Sequence, residues 1–119
     1  MLKKQISEDE VIWIAKNCAG VLVEKKASDV LVMDLRKINS YLDYFIIGTG
    51  NSHIHCTALA KEVQKYFRDI DFAGRAKPRL DSGWIALDYN EIVIHIFTKE
   101  LRDFYQLEKL WGDADFIAF

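Results

Sequence analysis

The run Gly48-Thr-Gly-Asn-Ser52 is the first of three stretches whose side-chain types and spacing could support chemistry. It leads from an apolar segment into a helical one, the arrangement in which backbone N–H groups at a helix N-terminus bind phosphate. The run lacks both the G-x-x-x-x-G-K-[ST] of a Walker loop and the complete G-x-G-x-x-G of a dinucleotide site. A tight turn followed by a helix cap is therefore the favoured interpretation, and a phosphate site is the alternative.

The second stretch, His53-Ile-His55-Cys56, suggests a metal site or a thiol nucleophile. On a helix only His53 and Cys56, at i and i+3, share a face, whereas a structural zinc needs four ligands. Cys56 also lies on the apolar stripe of the predicted helix, which favours a buried, inert thiol. Two Asp-x-Asp pairs, one at a helix end and one in the tail, make no convincing pair of metal ligands. These pairs are Asp69/Asp71 and Asp113/Asp115.

The third stretch, from Gly83 to Trp111, adds tryptophan, tyrosine, histidine and charged side chains to two short apolar segments. His95 lies within one of these segments, so it is either a satisfied, partly buried histidine or a surface contact sensitive to protonation. Tryptophan, tyrosine and arginine are the residue types enriched in interface hot spots, which makes binding the alternative to simple packing. The remaining candidates are Trp84, Asp88, Tyr89, Arg102 and Tyr105.

Length and composition limit the class of protein. A chain of 119 residues, half of them hydrophobic and 29% charged, predicts one soluble globular domain over residues 1–119. The net charge of −2 favours a basic protein partner over specific nucleic-acid binding, although Arg75-Ala-Lys-Pro-Arg79 could touch phosphate. We find no signal peptide and no apolar run approaching the roughly 20 residues of a membrane span, so reduced cysteines and a cytoplasmic location are expected.

Apolar residues recur at helical spacing in three segments, which predicts three amphipathic helices. The first follows a capping box, Ser7-Glu-Asp-Glu10, in which the two end side chains each satisfy a backbone N–H of the other residue. The second and third follow the caps Ser52 and Thr98. The predicted helices cover residues 8–25, 53–68 and 99–110. The buried stripe of the third is predicted to contain Leu101, Phe104, Leu107/Glu108 and Trp111.

Short apolar runs between polar turns predict the strands. They cover residues 28–34, 44–47, 84–88 and 92–97, with 70–73 as a candidate fifth strand. The remaining segments are predicted as a turn, an exposed loop and a frayed tail. These segments are residues 89–91, 75–82 and 112–119. Strands that are apolar on both faces, in this order with helices, indicate an α/β domain with a mixed four- to five-stranded sheet flanked by helices.

Five blocks of the sequence, within residues 28–111, carry a resemblance to a known family. They are Asp43-Tyr-Phe-Ile-Ile47, Thr49-Gly-Asn-Ser52, Gly83-Trp-Ile-Ala-Leu-Asp-Tyr89, Val93-Ile-His-Ile-Phe97 and Arg102-Asp-Phe-Tyr-Gln-Leu-Glu-Lys-Leu-Trp111. The last block, R-x-x-Y-x-L-E-x-L-W, is long and specific. Together the blocks resemble the ribosomal silencing factor family, also called Iojap-like.

This resemblance implies a nucleotidyltransferase-like superfold without the catalytic carboxylates, and therefore no enzymatic activity and no cofactor. Members of the family bind the fourteenth protein of the large ribosomal subunit at the subunit interface. They thereby block joining of the small subunit and repress translation when nutrients are short. A basic ribosomal protein suits the slightly acidic chain. The alternatives are a nucleotidyltransferase-like enzyme that uses the Gly48–Ser52 turn and a homodimer that associates through exposed aromatic residues.

The resemblance also implies a set of partner-binding positions, some of which could instead brace the hairpin. Trp84 matches the family's tryptophan at the start of a strand and is the expected anchor. The other matching positions lie at the hairpin turn, on the last strand and on the last helix. They are Asp88, Tyr89, His95, Arg102, Tyr105 and Glu108. Lys77-Pro78 departs from the Glu-Gly of many members and reverses a charge in the loop before Trp84.

Overall fold

The computed structural model describes residues 7–39, 41, 43–74, 78, 80 and 83–119. Their elements, in chain order, are α1 (Glu8–Glu24), β1 (Ser28–Asp34), β2 (Tyr44–Gly50), α2 (His53–Asp69), β3 (Trp84–Asp88), β4 (Ile92–Thr98), α3 (Lys99–Tyr105), α4 (Leu107–Leu110) and β5 (Asp115–Phe116). The strands form one sheet in the order β3-β4-β2-β1-β5. The β2–β4 pair is parallel and the other neighbouring pairs are antiparallel. The predicted α/β fold with a mixed sheet of four to five strands is confirmed.

Helices α1 and α2 cover one face of the sheet, which we call the packed face. Ser7 caps α1 as predicted, since the Glu10 N–H donates to Ser7 Oγ at 3.2 Å, and the Glu10 carboxylate accepts from the Ser7 hydroxyl instead of from its N–H. The apolar stripes of both helices meet inward-facing side chains of β1 to β4 in one continuous core. Phe67 of α2 is fully buried there and stacks on the Tyr89 ring with 3.8 Å between centroids. Burial of these stripes is the main source of stability in this fold.

The opposite face of the sheet, which we call the open face, is covered by the short helices α3 and α4 and by residues 111–114. Its buried side chains form a smaller core of Met33, Leu35, Phe45, Ile47, Phe97 and Ala114. Side chains at the border of this core are only partly buried. They are Trp84, Val93, Leu101, Leu107 and Trp111. The open face is therefore incompletely covered at the β3 side of the sheet.

The prediction of one continuous third helix over residues 99–110 is wrong. Thr98 caps α3 as predicted, but Gln106 adopts a left-handed conformation with φ of 47° and separates α3 from α4. Within α3 the buried side chain is Arg102, so the face of this short helix that packs inward is not the predicted apolar stripe. Phe104, predicted to be buried in that stripe, is 77% exposed.

The segment after β2 also differs from the prediction. Strand β2 continues through Gly50, and all of its residues are buried, so only Asn51 and Ser52 remain as a connection to α2. Gly50 is required at this close approach, because a Cβ there would lie 2.6 Å from Cys56 Sγ. Residues 70–73, predicted as a candidate strand, form none. Instead Phe72 turns back to pack on Phe67, with 5.5 Å between ring centroids.

The tail is ordered against β1 rather than frayed. Strand β5 pairs antiparallel with β1, and the Ile117 N–H donates to the Val32 carbonyl at 2.8 Å. Ala114 is buried, and Lys37 forms an ion pair with Asp115 at 3.1 Å. Of the predicted exposed loop 75–82, only Pro78 and Leu80 belong to the described residues, and both are partly buried. No helix in the described ranges has the length and apolar character needed to cross a membrane.

Candidate partner-binding surface

Trp84 lies at the start of β3 on the open face and is held by three ring contacts. Its indole stacks on Phe97 at 5.1 Å and meets the Tyr105 ring at 4.7 Å between centroids. Its Nε1–H donates to His95 Nδ1 at 3.1 Å. The side chain is only partly buried. The indole is therefore fixed in orientation while part of it remains accessible to a partner.

His95 is the group that fixes the polar edge of Trp84. It is 7% exposed and packs edge-on against Phe45, with 4.5 Å between ring centroids. Because Nδ1 accepts from Trp84, the ring proton is assigned to Nε2, which has no hydrogen-bond partner among the described residues. Burial lowers the pKa of His95 to about 4. The imidazole is thus neutral at pH 7 and acts as a hydrogen-bond acceptor.

Arg102 is buried and connects four elements. Its Nη1 donates to the Asp29 carbonyl at 2.6 Å and to Thr49 Oγ1 at 2.7 Å. Its Nε donates to Glu108 Oε1 at 3.1 Å, so α3 is tied to β1, β2 and α4. Only 7% of Arg102 is exposed. A guanidinium with its donors engaged in this way positions the helices and does not itself face a partner.

Asp88 and Tyr89 stabilise the β3–β4 hairpin. Asp88 Oδ1 accepts from the Asn90 N–H at 2.9 Å, which fixes a turn in which Asn90 has a φ of 68°. Tyr89 points to the packed face, where it is 7% exposed and stacks on Phe67. Asp88 stays partly exposed at the end of the hairpin, while Tyr89 belongs to the core.

Two large side chains of α3 extend the exposed surface beyond Trp84. Phe104 is 77% exposed and Tyr105 is 48% exposed, and their rings meet edge to face at 5.1 Å. We call Trp84, Phe104 and Tyr105 the aromatic patch. Contiguous exposed aromatic side chains with a polar border are typical of protein-binding sites.

Acidic residues outnumber basic ones in the segment of the sequence that begins at Trp84 and includes the patch. Residues 84–113 contain six acidic and three basic side chains, whereas the other 89 residues contain twelve acidic and thirteen basic ones. One of the three basic side chains is the buried Arg102. On α3 itself, which carries Phe104 and Tyr105, the exposed Glu100 and Asp103 outnumber the exposed Lys99, and this local balance favours a basic partner.

The stretches that suggested chemistry contain neither a metal-ligand cluster nor an activated thiol among the described residues. In the described part of the chain, no three histidine, cysteine or acidic side chains come together in a way that could hold a metal ion. Burial raises the pKa of the Cys56 thiol, and that of Cys18 to about 12, so both thiols are protonated and unreactive at neutral pH. Near the predicted phosphate turn, the N–H groups of Asn51 and His55 already donate to side chains.

A family model described as "Ribosomal silencing factor during starvation" matches residues 8–118. The chain belongs to this ribosomal silencing factor family. It is 35% identical to a ribosomal silencing factor of Bacillus subtilis over 102 residues, which cover 85% of this chain and 86% of that protein. A ribosomal silencing factor of Halalkalibacterium halodurans is 34% identical over 110 residues, or 92% of both chains.

Solved structures agree with this assignment. A crystal structure of a protein from Chromobacterium violaceum superposes with a TM-score of 0.82 at 29% identity, covering 87% of each chain. The sheet and helices that carry the aromatic patch thus belong to the ribosomal silencing factor fold.

The seven residues predicted to bind the partner separate into groups in this member of the ribosomal silencing factor family. Trp84, His95 and Tyr105 form one contact cluster on the open face. Arg102 and Glu108 form an ion pair beneath α3. Asp88 lies at the other end of β3, and Tyr89 is on the packed face.

Sequence reasoning missed Phe104 and the exposure of Leu110, which is 70% exposed on α4. Both lie on the predicted third helix, where the 3–4 residue spacing assigns Phe104 to the buried side. Glycine and asparagine are the residue types that indicate a left-handed helix end, and Gln106 is neither of them. No pattern in the sequence therefore marks the break after α3, and none shows that α3 buries Arg102 rather than Phe104.

Proposed function

We propose that this protein is a ribosome-silencing factor that binds the fourteenth protein of the large subunit through its open face. Bound there, it occupies a surface that the small subunit needs and represses translation sterically when nutrients are short. The named relatives support the silencing role. The observation that carries the choice of surface is the aromatic patch, in which His95 fixes Trp84 and in which α3 also exposes Glu100 and Asp103. In this proposal the protein acts in the cytoplasm without catalysing a reaction.

Exposure separates the contact residues from the positioning residues. Trp84, Phe104 and Tyr105 meet the partner, and the partly exposed carboxylate of Asp88 orients its basic side chains, whereas Glu108 is paired with Arg102. The buried members of the predicted set act through them. His95 orients Trp84, Arg102 holds α3 in place, and Tyr89 anchors the hairpin to the packed face.

A subunit-joining assay with purified subunits tests this proposal. We expect the wild-type protein to inhibit joining and to co-sediment with free large subunits. Trp84→Ala removes the central anchor and should weaken binding to the isolated ribosomal protein about 30-fold, the effect of a 2 kcal/mol hot spot. Unchanged subunit joining at saturating wild-type protein would refute the proposal.

Trp13→Ala is the matched control for the choice of surface. Trp13 is also a tryptophan, is 62% exposed and lies on α1, which covers the other face of the sheet. We expect this variant to bind like wild type. Equal losses in Trp13→Ala and Trp84→Ala would show that the open face is not the binding surface. Sedimentation of each variant alone at the working concentrations measures whether a homodimer competes for the same patch.

A further inference from the structure

The outward side of α2 carries basic residues at helical spacing. Lys61, Lys65 and Arg68 are all exposed, and residues at i, i+4 and i+7 lie on one face of a helix. We call these three residues the basic row. Lys65 forms an exposed ion pair with Asp69 at 3.7 Å, which is worth little in water. The row therefore presents positive charge along about 10 Å of the helix.

The excess of positive charge continues along the sequence from this helix up to β3. Residues 61–82 contain six basic and four acidic side chains, whereas the other 97 residues contain ten basic and fourteen acidic ones. Two of the four acidic side chains, Glu62 and Asp69, are ion-paired with lysines. Three of the basic ones belong to the run Arg75-Ala-Lys-Pro-Arg79, which the proposed function leaves unused. This segment is the basic part of an otherwise acidic chain, and it favours an anionic ligand.

A hollow of about 240 Å³ lies beside the basic row. Its lining includes the rings of Phe72 and Tyr89, the amide of Gln64 and the guanidinium of Arg68. Pro78, which belongs to the run 75–79, lines it as well. The hollow is smaller than the roughly 300–1,000 Å³ of sites for drug-sized ligands, so it suits one planar ring and not a complete cofactor. Aromatic rings, amides and guanidinium groups are the side-chain groups that stack on a nucleobase and bond its edges.

We propose that α2 and this hollow bind single-stranded RNA, with phosphates along the basic row and one base in the hollow. A single strand is required because the bases of a duplex are stacked and paired, and cannot enter a hollow. Contacts of this kind tolerate many base sequences. The proposed action on ribosomes makes RNA the expected strand. Because α2 covers the packed face, RNA and the ribosomal protein on the open face can be bound together.

Fluorescence anisotropy with a labelled oligouridine of about 10 nucleotides measures this binding. Lys61→Gln and Arg68→Gln each remove one charge of the basic row. We expect each to weaken binding about three- to tenfold at low salt, and to reduce the slope of log K against log salt by about 0.7. Lys16→Gln is the matched control, since Lys16 is an exposed lysine of α1 outside the row. It removes the same charge and should bind within about twofold of wild type.

Phe72→Leu tests the base site. Leucine keeps an apolar side chain against Phe67 but offers no ring for stacking, so binding of oligouridine should weaken about fivefold or more. The melting temperature of the variant shows whether the fold is retained. A second measurement uses the unaltered protein, which should bind an RNA duplex of the same length at least about fivefold more weakly than the single strand.

Three results would overturn RNA binding at this site. They are no binding of oligouridine by the wild type at low salt, equal affinity for strand and duplex, and equal losses in Lys16→Gln and Arg68→Gln. Each of them leaves the proposed function intact, because that function uses the open face. The isolated ribosomal protein should bind Arg68→Gln as tightly as wild type. If it bound neither, the proposed function would fail while RNA binding by α2 remained.

Discussion

The two faces of the sheet are made from the same strands but contain different kinds of side chain. Strand β4 shows this within seven residues, since Ile92, Ile94 and Ile96 point to the packed face and are fully buried. The alternate residues Val93 and His95 point to the open face, where His95 is used to orient Trp84. Two helices of 17 residues cover the packed face, whereas α3 and α4 have seven and four residues. The packed face supplies stability, and the open face keeps side chains available for recognition.

Phe67→Ala should give the largest effect and acts on the packed face. The side chain is fully buried and stacked on Tyr89, so its loss leaves a cavity that costs about 3–5 kcal/mol of unfolding free energy. Denaturant unfolding followed by circular dichroism measures this change. Partner affinity per folded molecule should remain that of wild type. A loss of affinity at conditions where the variant is fully folded would show that the two faces are not independent.

Arg102→Ala should come next, because it removes the group that holds the cover of the open face. Thr49, the Asp29 carbonyl and Glu108 would lose their donor, at a cost of about 3 kcal/mol. A double-mutant cycle with Glu108→Ala isolates the ion pair within this sum. Here we also expect weaker partner binding, since α3 carries two members of the aromatic patch. Wild-type stability of Arg102→Ala would mean that the hydrogen bonds of Arg102 are not needed to hold α3 and α4 on the open face.

Acid pH should lower the stability of the protein through His95, which lies on the open face. The pKa of His95 is lowered to about 4 in the folded protein from an ordinary value of 6.5, so the unfolded chain binds the proton first as the pH falls. The contribution of neutral His95 to the free energy of unfolding is complete above pH 6.5. It is lost progressively as the pH falls to about 4, by about 3 kcal/mol in total. Protonation at Nδ1 also removes the acceptor for Trp84.

Stability curves of the wild type and of His95→Gln between pH 4 and pH 7.5 measure this contribution. Glutamine cannot become charged. The unfolding free energy that the variant loses between pH 7.5 and pH 4 should therefore be smaller than that of wild type by the contribution of His95. Parallel curves for the two proteins would show that His95 is not neutral and buried in the native state. The comparison also separates His95 from the carboxylates that titrate in the same range.

Phe104→Ala should have the smallest effect on stability. A side chain that is 77% exposed contributes little to folding, and we expect a change within about 0.5 kcal/mol. Binding to the ribosomal protein should nevertheless weaken about tenfold, because the side chain belongs to the aromatic patch. Titration calorimetry of Phe104→Ala beside Trp13→Ala measures the difference. Wild-type affinity in Phe104→Ala would restrict the contact surface to Trp84 and Tyr105.

The sequence predicts the packed face better than the open face, for physical reasons. Helices α1 and α2 carry local caps and unbroken apolar stripes, so their positions follow from short-range patterns. The helices that cover the open face are separated by one left-handed residue, Gln106. The tail that follows them, residues 112–119, alternates polar and apolar residues too irregularly to predict a strand. Its docking on β1 is a long-range pairing that no local pattern specifies.

The candidate site was predictable in its residue types but not in its division of roles. Trp84 and Tyr105 were identified from composition and resemblance, and both are accessible. Tyr89 and Arg102 were identified by the same signals and are buried. Adjacent residues of a strand point to opposite faces, but which residue points to which face is known only from the register of the sheet. A buried arginine is recognised only from the groups to which it donates hydrogen bonds. Residue type alone therefore could not separate contact from bracing.

The pairing of β5 with β1 has a consequence for synthesis of the chain. Met33 pairs with Phe116, so the first strand to be made receives its outer neighbour from residues translated more than 80 positions later. Until then β1 has an unpaired edge, and a nascent chain held at the ribosome exposes it. Pairings between such distant segments also slow folding.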